Sequence, residues 1–170
     1  MGAATVIVLP KAESGKSLDA SESDLVGYYE QEQANGSTAT LIYATSTANA
    51  NAQLKTLSGQ GDITQVTIAG HGDDGVQYVG AKTNTGSNSV DATNVSNLFT
   101  GVNFSDNASV WYEGCYTGNT GPDGNLADAT SQTTGGLTTY APTGTTGYTN
   151  SSGVYSRQLS STYYTANYTE

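Results

Sequence analysis

The sequence has few of the residues on which many protein classes depend. It contains a single cysteine, Cys115, which excludes an internal disulfide and a zinc site built from several cysteines. Lysine and arginine together number 5 against 15 acidic residues, and the net charge is −10. So few cations cannot form a basic patch for nucleic acid, and the negative charge also disfavours anionic membrane surfaces.

Long apolar runs are also missing. No stretch is long enough to cross a bilayer, so membrane insertion is not expected. Residues 1–10 have no basic region, and their apolar part is too short for a signal peptide. Few lysines and an abundance of Ser, Thr, Asn and Tyr are nevertheless typical of extracellular proteins, so an extracellular or cell-surface location is expected.

Strand and helix patterns alternate along the 170 residues, a length that suits one domain. Runs of β-branched residues predict strands, and apolar residues recurring once per helical turn predict helices. The predicted strands are 4–9, 39–43, 63–69, 108–113 and 137–141, and the predicted helices are 19–33, 46–58, 91–102 and 122–133. This alternation predicts an α/β fold with a mainly parallel sheet of five or six strands and helices on both faces.

Three further segments have weaker patterns. Residues 76–79 and the polar stretch 80–89 are compatible with a small hairpin, and residues 154–159 with a short edge strand. We place one domain at 1–156, followed by a Tyr-rich C-terminal strand or tail at 157–170.

The one histidine, His71, and the one cysteine, Cys115, both come just after a predicted strand and beside glycine. In parallel α/β sheets the carboxyl ends of the strands share one edge, where active groups collect. Neighbouring strands lie about 5 Å apart, so the two side chains are expected to face each other. Taken singly, each has an ordinary structural explanation, namely a buried thiol and a hydrogen-bonded loop imidazole; their shared position favours a dyad.

This pair has a recognisable chemistry. An imidazole that takes the proton of a thiol makes the sulfur an effective nucleophile. The resulting oxyanion needs backbone N–H donors, and Gly72 and Cys115 can each supply one. Gly114 allows the sharp turn that exposes the sulfur.

The same stretches resemble the caspase-like (clan CD) cysteine peptidases, which include caspases, legumain, gingipains and clostripain. The likeness is closest to an uncharacterised caspase-like domain of large bacterial surface proteins. It rests on Ile-Ala-Gly-His-Gly at 68–72 and Trp-Tyr-Glu-Gly-Cys at 111–115, and extends over about 63–144. The resemblance implies a three-layer caspase-like sandwich, with His71 as general base, Cys115 as nucleophile, and the N–H groups of Gly72 and Cys115 as oxyanion donors. Gly70 and Glu113 depart from the family's pattern.

Three acidic residues near the motifs are candidates for substrate binding. Glu113 can bind a basic side chain of a substrate or steady His71, although a carboxylate hydrogen-bonded at the end of the sheet is the favoured interpretation. Asp73 and Asp74 can line a substrate pocket or be solvated loop acids. A surplus of acids predicts a preference for a basic or small residue rather than Asp before the scissile bond.

No cofactor and no metal are expected. Residues 10–17 end in Gly-Lys-Ser like a phosphate-binding loop, but Pro10 stands where that motif needs its first glycine.

Two functions follow from these features. The first is a cysteine endopeptidase or self-processing domain, with a peptide or protein as substrate. The alternative is a catalytically silent caspase-like module that serves as a structural subunit or binding domain of an extracellular assembly. Its partners would then be copies of itself or a parent polypeptide.

Overall fold

The computed structural model describes residues 4–85 and 88–168. In chain order its elements are β1 (Ala4–Pro10), α1 (Ala20–Ala34), β2 (Thr40–Ala44), α2 (Thr47–Ser58), β3 (Ile63–Ile68), β4 (Gly72–Asp73), β5 (Val76–Tyr78), β6 (Ser89–Val90), α3 (Ser96–Phe99), β7 (Phe104–Tyr112), β8 (Thr120–Gly121), β9 (Gly124–Asn125), α4 (Leu126–Thr133), β10 (Thr138–Pro142), β11 (Thr146–Ser151), β12 (Val154–Leu159) and β13 (Tyr163–Ala166). None of the helices described has both the length and the apolar character required to cross a membrane.

A six-stranded sheet in the order β13-β10-β7-β3-β1-β2 forms the centre of the molecule. Its strands pair in parallel, except that β13 runs antiparallel to β10. The predicted α/β architecture with a mainly parallel sheet is therefore confirmed. The strands that precede His71 and Cys115, β3 and β7, are direct neighbours.

The sheet is covered on both faces, and β1 accordingly carries an unbroken apolar run from Val6 to Leu9. On one face Val6 and Val8 of β1 pack in a core with α2, α3 and α4. On the other face Ile7 and Leu9 pack with α1, and Tyr148 of the β11–β12 hairpin joins them. The hairpin thus lies in the same layer as α1, at the end of the sheet where the strands finish.

Two predicted helices were too long. The third, expected at 91–102, is the single turn α3, because the Asp91 carboxylate accepts hydrogen bonds from the N–H and hydroxyl of Thr93 and holds a local turn. Its apolar residues still reach the core. The fourth, expected from Pro122, begins at Leu126 with Asn125 as its cap; Pro122 occupies the turn between β8 and β9.

The segments with weaker patterns pair as follows. Residues 76–79 and 80–89 were compatible with a small hairpin; β5 pairs antiparallel with β6, which begins at Ser89, and also pairs with β4 on its other side. Part of that stretch, 86–87, lies outside the described residues. β12 pairs with β11 in a separate hairpin instead of forming an edge of the main sheet, and β13 forms that edge. The boundary placed at 156 consequently falls inside β12.

Candidate active site

One cavity of about 210 Å³ holds both His71 and Cys115. The register of β3 and β7 aligns Ile68 with Tyr112, so the two following loops leave the sheet side by side. The remaining walls come from the start of α1 and from β11. Among the described residues, the cavity is lined by Ser21, Glu22, Leu25, Gly70, His71, Cys115, Thr146, Gly147 and Tyr148.

The two loops touch through their glycines. A Cβ atom built on Gly72 would lie 2.6 Å from the carbonyl carbon of Gly114. One built on Gly114 would lie 2.8 Å from the Cα of Gly72. Any side chain at either position would therefore force the loops apart, so glycine is required at both by close backbone approach.

His71 is held by a residue from another element. Its Nε2 lies 2.6 Å from Oδ2 of Asp19, the N-cap of α1. Burial acts to raise the pKa of Asp19, but hydrogen bonds from the Glu22 N–H and from His71 hold that pKa below its ordinary value. An ionised carboxylate only accepts hydrogen bonds, so Nε2 carries a proton, and in the neutral ring Nδ1 keeps its lone pair. His71 is thereby left in the tautomer that can act as a base through Nδ1.

Asp19 is itself fixed by a capping box. Its Oδ1 accepts the N–H of Glu22 at 2.8 Å, and Oε1 of Glu22 accepts the N–H of Asp19 at 2.9 Å. The other oxygen of Glu22 accepts the N–H of Lys82 at 2.8 Å. These contacts leave the second carboxylate oxygen of Asp19 pointing at His71.

The sulfur of Cys115 lies against β11. The N–H of Thr146 donates to Sγ at 3.4 Å, and the thiol donates to the carbonyl of Thr146 at 3.5 Å. Within residues 4–85 and 88–168, no hydrogen bond joins this sulfur to the His71 ring.

Cys115 occupies a corner of a β-turn. The N–H of Thr117 reaches the carbonyl of Gly114 at 3.4 Å, and Tyr116 has φ of 60°. A positive φ at the third position of a turn favours glycine, so a tyrosine there stores strain. The turn is held from outside, since the N–H of Tyr116 donates to Gly144 and its carbonyl accepts from Gly75.

Two backbone N–H groups in the loops that carry His71 and Cys115 have no hydrogen-bond acceptor among the residues that the structure describes. The N–H of Tyr78 donates to the carbonyl of His71, which makes Gly72 and Gln77 a non-hydrogen-bonded pair of the β4–β5 ladder. The N–H of Gly72 therefore points away from β5. The N–H of Cys115 likewise donates to none of the described groups. Both remain available to an oxyanion.

Glu113 lies outside this cavity. It is buried in a second one of about 390 Å³, between the sheet and the β11–β12 hairpin. Its Oε2 is 3.0 Å from a guanidinium nitrogen of Arg157, and the hydroxyl of Tyr163 donates to both carboxylate oxygens at 3.0 Å. Burial raises the pKa of Glu113, while Arg157 and Tyr163 act to lower it. This environment is that of a carboxylate hydrogen-bonded at the end of the sheet.

The two loop acids are also outside the cavity lining. Asp73 and Asp74 are exposed in the β4–β5 hairpin, where Asp74 accepts a hydrogen bond from Asn119 at 2.9 Å. The acids that approach the histidine are Asp19 and Glu22, which sequence reasoning treated only as parts of a helix start. The sequence signal available for these two acids was the capping-box spacing, with Asp at the N-cap and Glu three residues later.

Among the described residues, Asp19, Glu22 and His71 form the one cluster of three or more side chains whose donor atoms could coordinate a metal ion. One donor atom from each lies within 4.8 Å of the others. Both oxygens of Glu22 and both of Asp19 already accept hydrogen bonds, which accounts for the cluster without an ion.

The site thus combines a thiol and an imidazole in one cavity, a carboxylate that orients the imidazole, and two N–H groups of the same two loops that have no partner among the described residues. These are the groups that nucleophilic acyl transfer uses. No protein-family model matches this chain, and no curated protein matches it.

Proposed function

We propose that this protein is a cysteine peptidase or self-processing domain of the caspase-like type, with Cys115 as nucleophile and His71 as general base. The observation that carries the proposal is the shared cavity of the two side chains, at the carboxyl ends of adjacent parallel strands. That location agrees with the resemblance of the two motifs to caspase-like peptidases. The Ser, Thr and Asn-rich composition supports action outside the cell.

The groups suffice for both steps of the reaction. Cys115 Sγ attacks the carbonyl carbon of a peptide bond while Nδ1 of His71 takes the thiol proton. The N–H groups of Gly72 and Cys115 stabilise the oxyanion. As the C–N bond breaks, His71 returns the proton to the leaving amine, and water then hydrolyses the thioester with His71 again as base.

Asp19 adds orientation and charge to this scheme. Its carboxylate holds the Nε2–H of His71, which leaves Nδ1 as the basic nitrogen of the neutral ring, and it stabilises the imidazolium formed on proton transfer. The proposal therefore extends the dyad to three side chains.

The first experiment measures alkylation of Cys115 by iodoacetamide near pH 7. We expect faster reaction than that of a free thiol of pKa about 8.5, and loss of that advantage in His71→Ala. Asp73→Ala is the matched control, since it alters the same loop outside the cavity. EDTA excludes divalent ions from the Asp19, Glu22 and His71 cluster. Equal rates in wild type and His71→Ala would show a structural thiol.

The second experiment follows peptide cleavage. Mass spectrometry of a peptide library incubated with the protein is expected to show products that Cys115→Ala does not form. Intramolecular cleavage is tested in the same way, by comparing the intact masses of wild type and Cys115→Ala after storage.

The non-enzymatic alternative is favoured by one observation. The sulfur already exchanges two hydrogen bonds with Thr146, and His71 is bound by Asp19 rather than by Cys115. A silent module of an extracellular assembly would retain these contacts and show neither enhanced alkylation nor Cys115-dependent cleavage.

A further inference from the structure

Two fully buried polar side chains, Gln77 and Thr117, lie behind the loops that carry His71 and Cys115. Both are 0% exposed. A polar group buried without partners costs free energy, so such residues are expected to be engaged by hydrogen bonds. Their partners turn out to be backbone groups of the two loops.

Gln77 joins the loops to each other. Its Nε2 donates to the carbonyls of His71 at 3.1 Å and Tyr78 at 2.9 Å. Its Oε1 accepts the N–H of Gly114 at 2.9 Å. One amide group thus binds the loop after β3 and the loop after β7 at once.

The contact with His71 also sets a peptide plane. The carbonyl of His71 and the N–H of Gly72 belong to one trans peptide group and point in opposite directions. Gln77 Nε2 and the N–H of Tyr78 both hold that carbonyl on the β5 side. The N–H of Gly72 is therefore directed away from β5.

Thr117 does the same for the second loop. Its hydroxyl donates to the carbonyl of Gly114 at 3.0 Å, beside the weaker turn contact from its own N–H at 3.4 Å. That carbonyl shares a peptide group with the N–H of Cys115. Holding the carbonyl on the Thr117 side directs the N–H of Cys115 the opposite way.

We propose that Gln77 and Thr117 are positioning residues that aim the N–H groups of Gly72 and Cys115 at the oxyanion formed when Cys115 attacks a peptide bond. This role rests on the proposed peptidase function. Neither side chain lines the cavity, so each acts through the backbone group that it holds.

The test uses variants of Thr117, because they are close in shape. Thr117→Val removes the hydroxyl, Thr117→Ser retains it, and Thr139→Val removes another buried hydroxyl, one that donates to Leu137 far from the loops. Each is compared with wild type in Cys115-dependent peptide hydrolysis and in iodoacetamide alkylation. Alkylation forms no oxyanion and so reports only on the thiol and His71.

We expect Thr117→Val to lower kcat for hydrolysis by about 10- to 100-fold, somewhat below the loss caused by deleting an oxyanion donor. Its alkylation rate should stay within about twofold of wild type, Thr117→Ser should recover most of the activity, and Thr139→Val should match wild type. Gln77→Met, if it folds, should show the same split between the two assays.

The outcomes separate the two proposals. A wild-type protein without Cys115-dependent hydrolysis overturns the peptidase function and, with it, the oxyanion role of Gln77 and Thr117. An active wild type in which Thr117→Val equals Thr139→Val overturns the positioning role alone. An equal loss of hydrolysis and alkylation in Thr117→Val also overturns it, because general loosening of the site then explains the effect.

Discussion

The Asp19 carboxylate lies 2.6 Å from Nε2 of His71, across a separation of 52 residues in sequence. One oxygen of this carboxylate caps α1 and the other holds the imidazole. Helix start and histidine orientation therefore depend on the same side chain. Because β1 leads directly into the loop before α1, the central sheet sets where this cap lies relative to the loop after β3.

The dual role of Asp19 can be separated by substitution. Asparagine caps helices about as well as aspartate, so Asp19→Asn should change the free energy of unfolding by only a few tenths of a kcal/mol at neutral pH, on the order of cap-to-cap differences. Loss of the charge should slow peptide hydrolysis about tenfold, less than for a fully buried triad carboxylate. Asp24→Asn, which removes a charge from the same helix, serves as control in both assays. Equal activity of the two variants would contradict a role of Asp19 in orienting His71.

The same contact predicts a dependence of stability on pH. The pKa of Asp19 is lower in the folded protein than its ordinary value, because hydrogen bonds from Glu22 and His71 outweigh the opposing effect of burial. The resulting stabilisation is complete above the unfolded pKa, about 3.9, and is lost as pH falls through the folded pKa. Urea unfolding at a series of pH values should show this loss in wild type and a smaller one in Asp19→Asn.

For the pair of Glu113 and Arg157, we expect a pH dependence of the unfolding free energy with the opposite sign once the arginine is removed. Arg157→Met leaves a buried carboxylate without its cation, and we expect a loss of about 2–3 kcal/mol in unfolding free energy at pH 7, below the cost for a fully buried pair. Burial raises the pKa of Glu113, so the penalty is present above the folded pKa and is relieved as pH falls through it. The variant should therefore approach wild-type stability in acid.

A double variant controls for the lost packing of Arg157. Glu113→Gln with Arg157→Met removes both charges and should recover part of the stability at pH 7, as measured by urea unfolding. If the double variant were less stable than Arg157→Met, the buried charge would not be the source of the loss.

The glycine contact between the two loops gives a further prediction. Gly72→Ala and Gly114→Ala should each lower the free energy of unfolding by about 1–3 kcal/mol, since the added methyl overlaps backbone of the other loop. Gly147→Ala is the control, because, its two chain neighbours aside, no atom of the described residues lies within 4 Å of its Cβ position. Thermal unfolding of the three variants should show that Gly72→Ala and Gly114→Ala are less stable than Gly147→Ala. If Gly147→Ala were as unstable as the other two, the prediction would be contradicted.

The sheet could largely be predicted from the sequence because a strand buried on both faces needs an unbroken apolar run. β1 meets that condition, whereas β3 is a β-branched run interrupted by Gln65; both strands lie within a residue or two of their predicted positions. The third helix could not be predicted, because Val95, Leu98 and Phe99 have helical spacing whether one turn or three are formed. The competing turn at Asp91 is a local side-chain contact that periodicity does not register.

The candidate site likewise contains residues that the sequence could predict and residues that it could not. That His71 and Cys115 share a cavity could be predicted because parallel strands end at one edge, a consequence of topology alone. The roles of Asp19 and Gln77 could not be predicted, because they depend on contacts between segments that are distant in the sequence. Each has a sufficient local explanation, Asp19 as a cap and Gln77 as a residue of a short strand. Only the packing of α1 and β5 against the two loops reveals what their polar atoms bind.

The last testable property is the preference for the residue before the scissile bond. The structure identifies a different acid as its source from those that the sequence indicated. An Asp-binding pocket needs a cation, yet Arg157 is engaged by Glu113 away from the cavity of Cys115. The acid in the wall of that cavity is Glu22. With this carboxylate in the wall of the cavity that holds Cys115, the site should attract a basic side chain and repel an acidic one.

We therefore expect a positional peptide library to show cleavage after Lys, Arg or small residues at least about tenfold faster than after Asp, a difference of about 1.4 kcal/mol. Glu22→Gln should reduce the preference for Lys and Arg while keeping the capping box, since Gln can accept the N–H of Asp19. Asp74→Asn, which removes a charge outside the cavity, should leave the preference unchanged. High salt should weaken the preference in wild type more than in Glu22→Gln. Clear selection of Asp that disappears in Arg157→Ala would instead mean that the pocket carries the opposite charge, with Arg157 released from Glu113 to bind substrate.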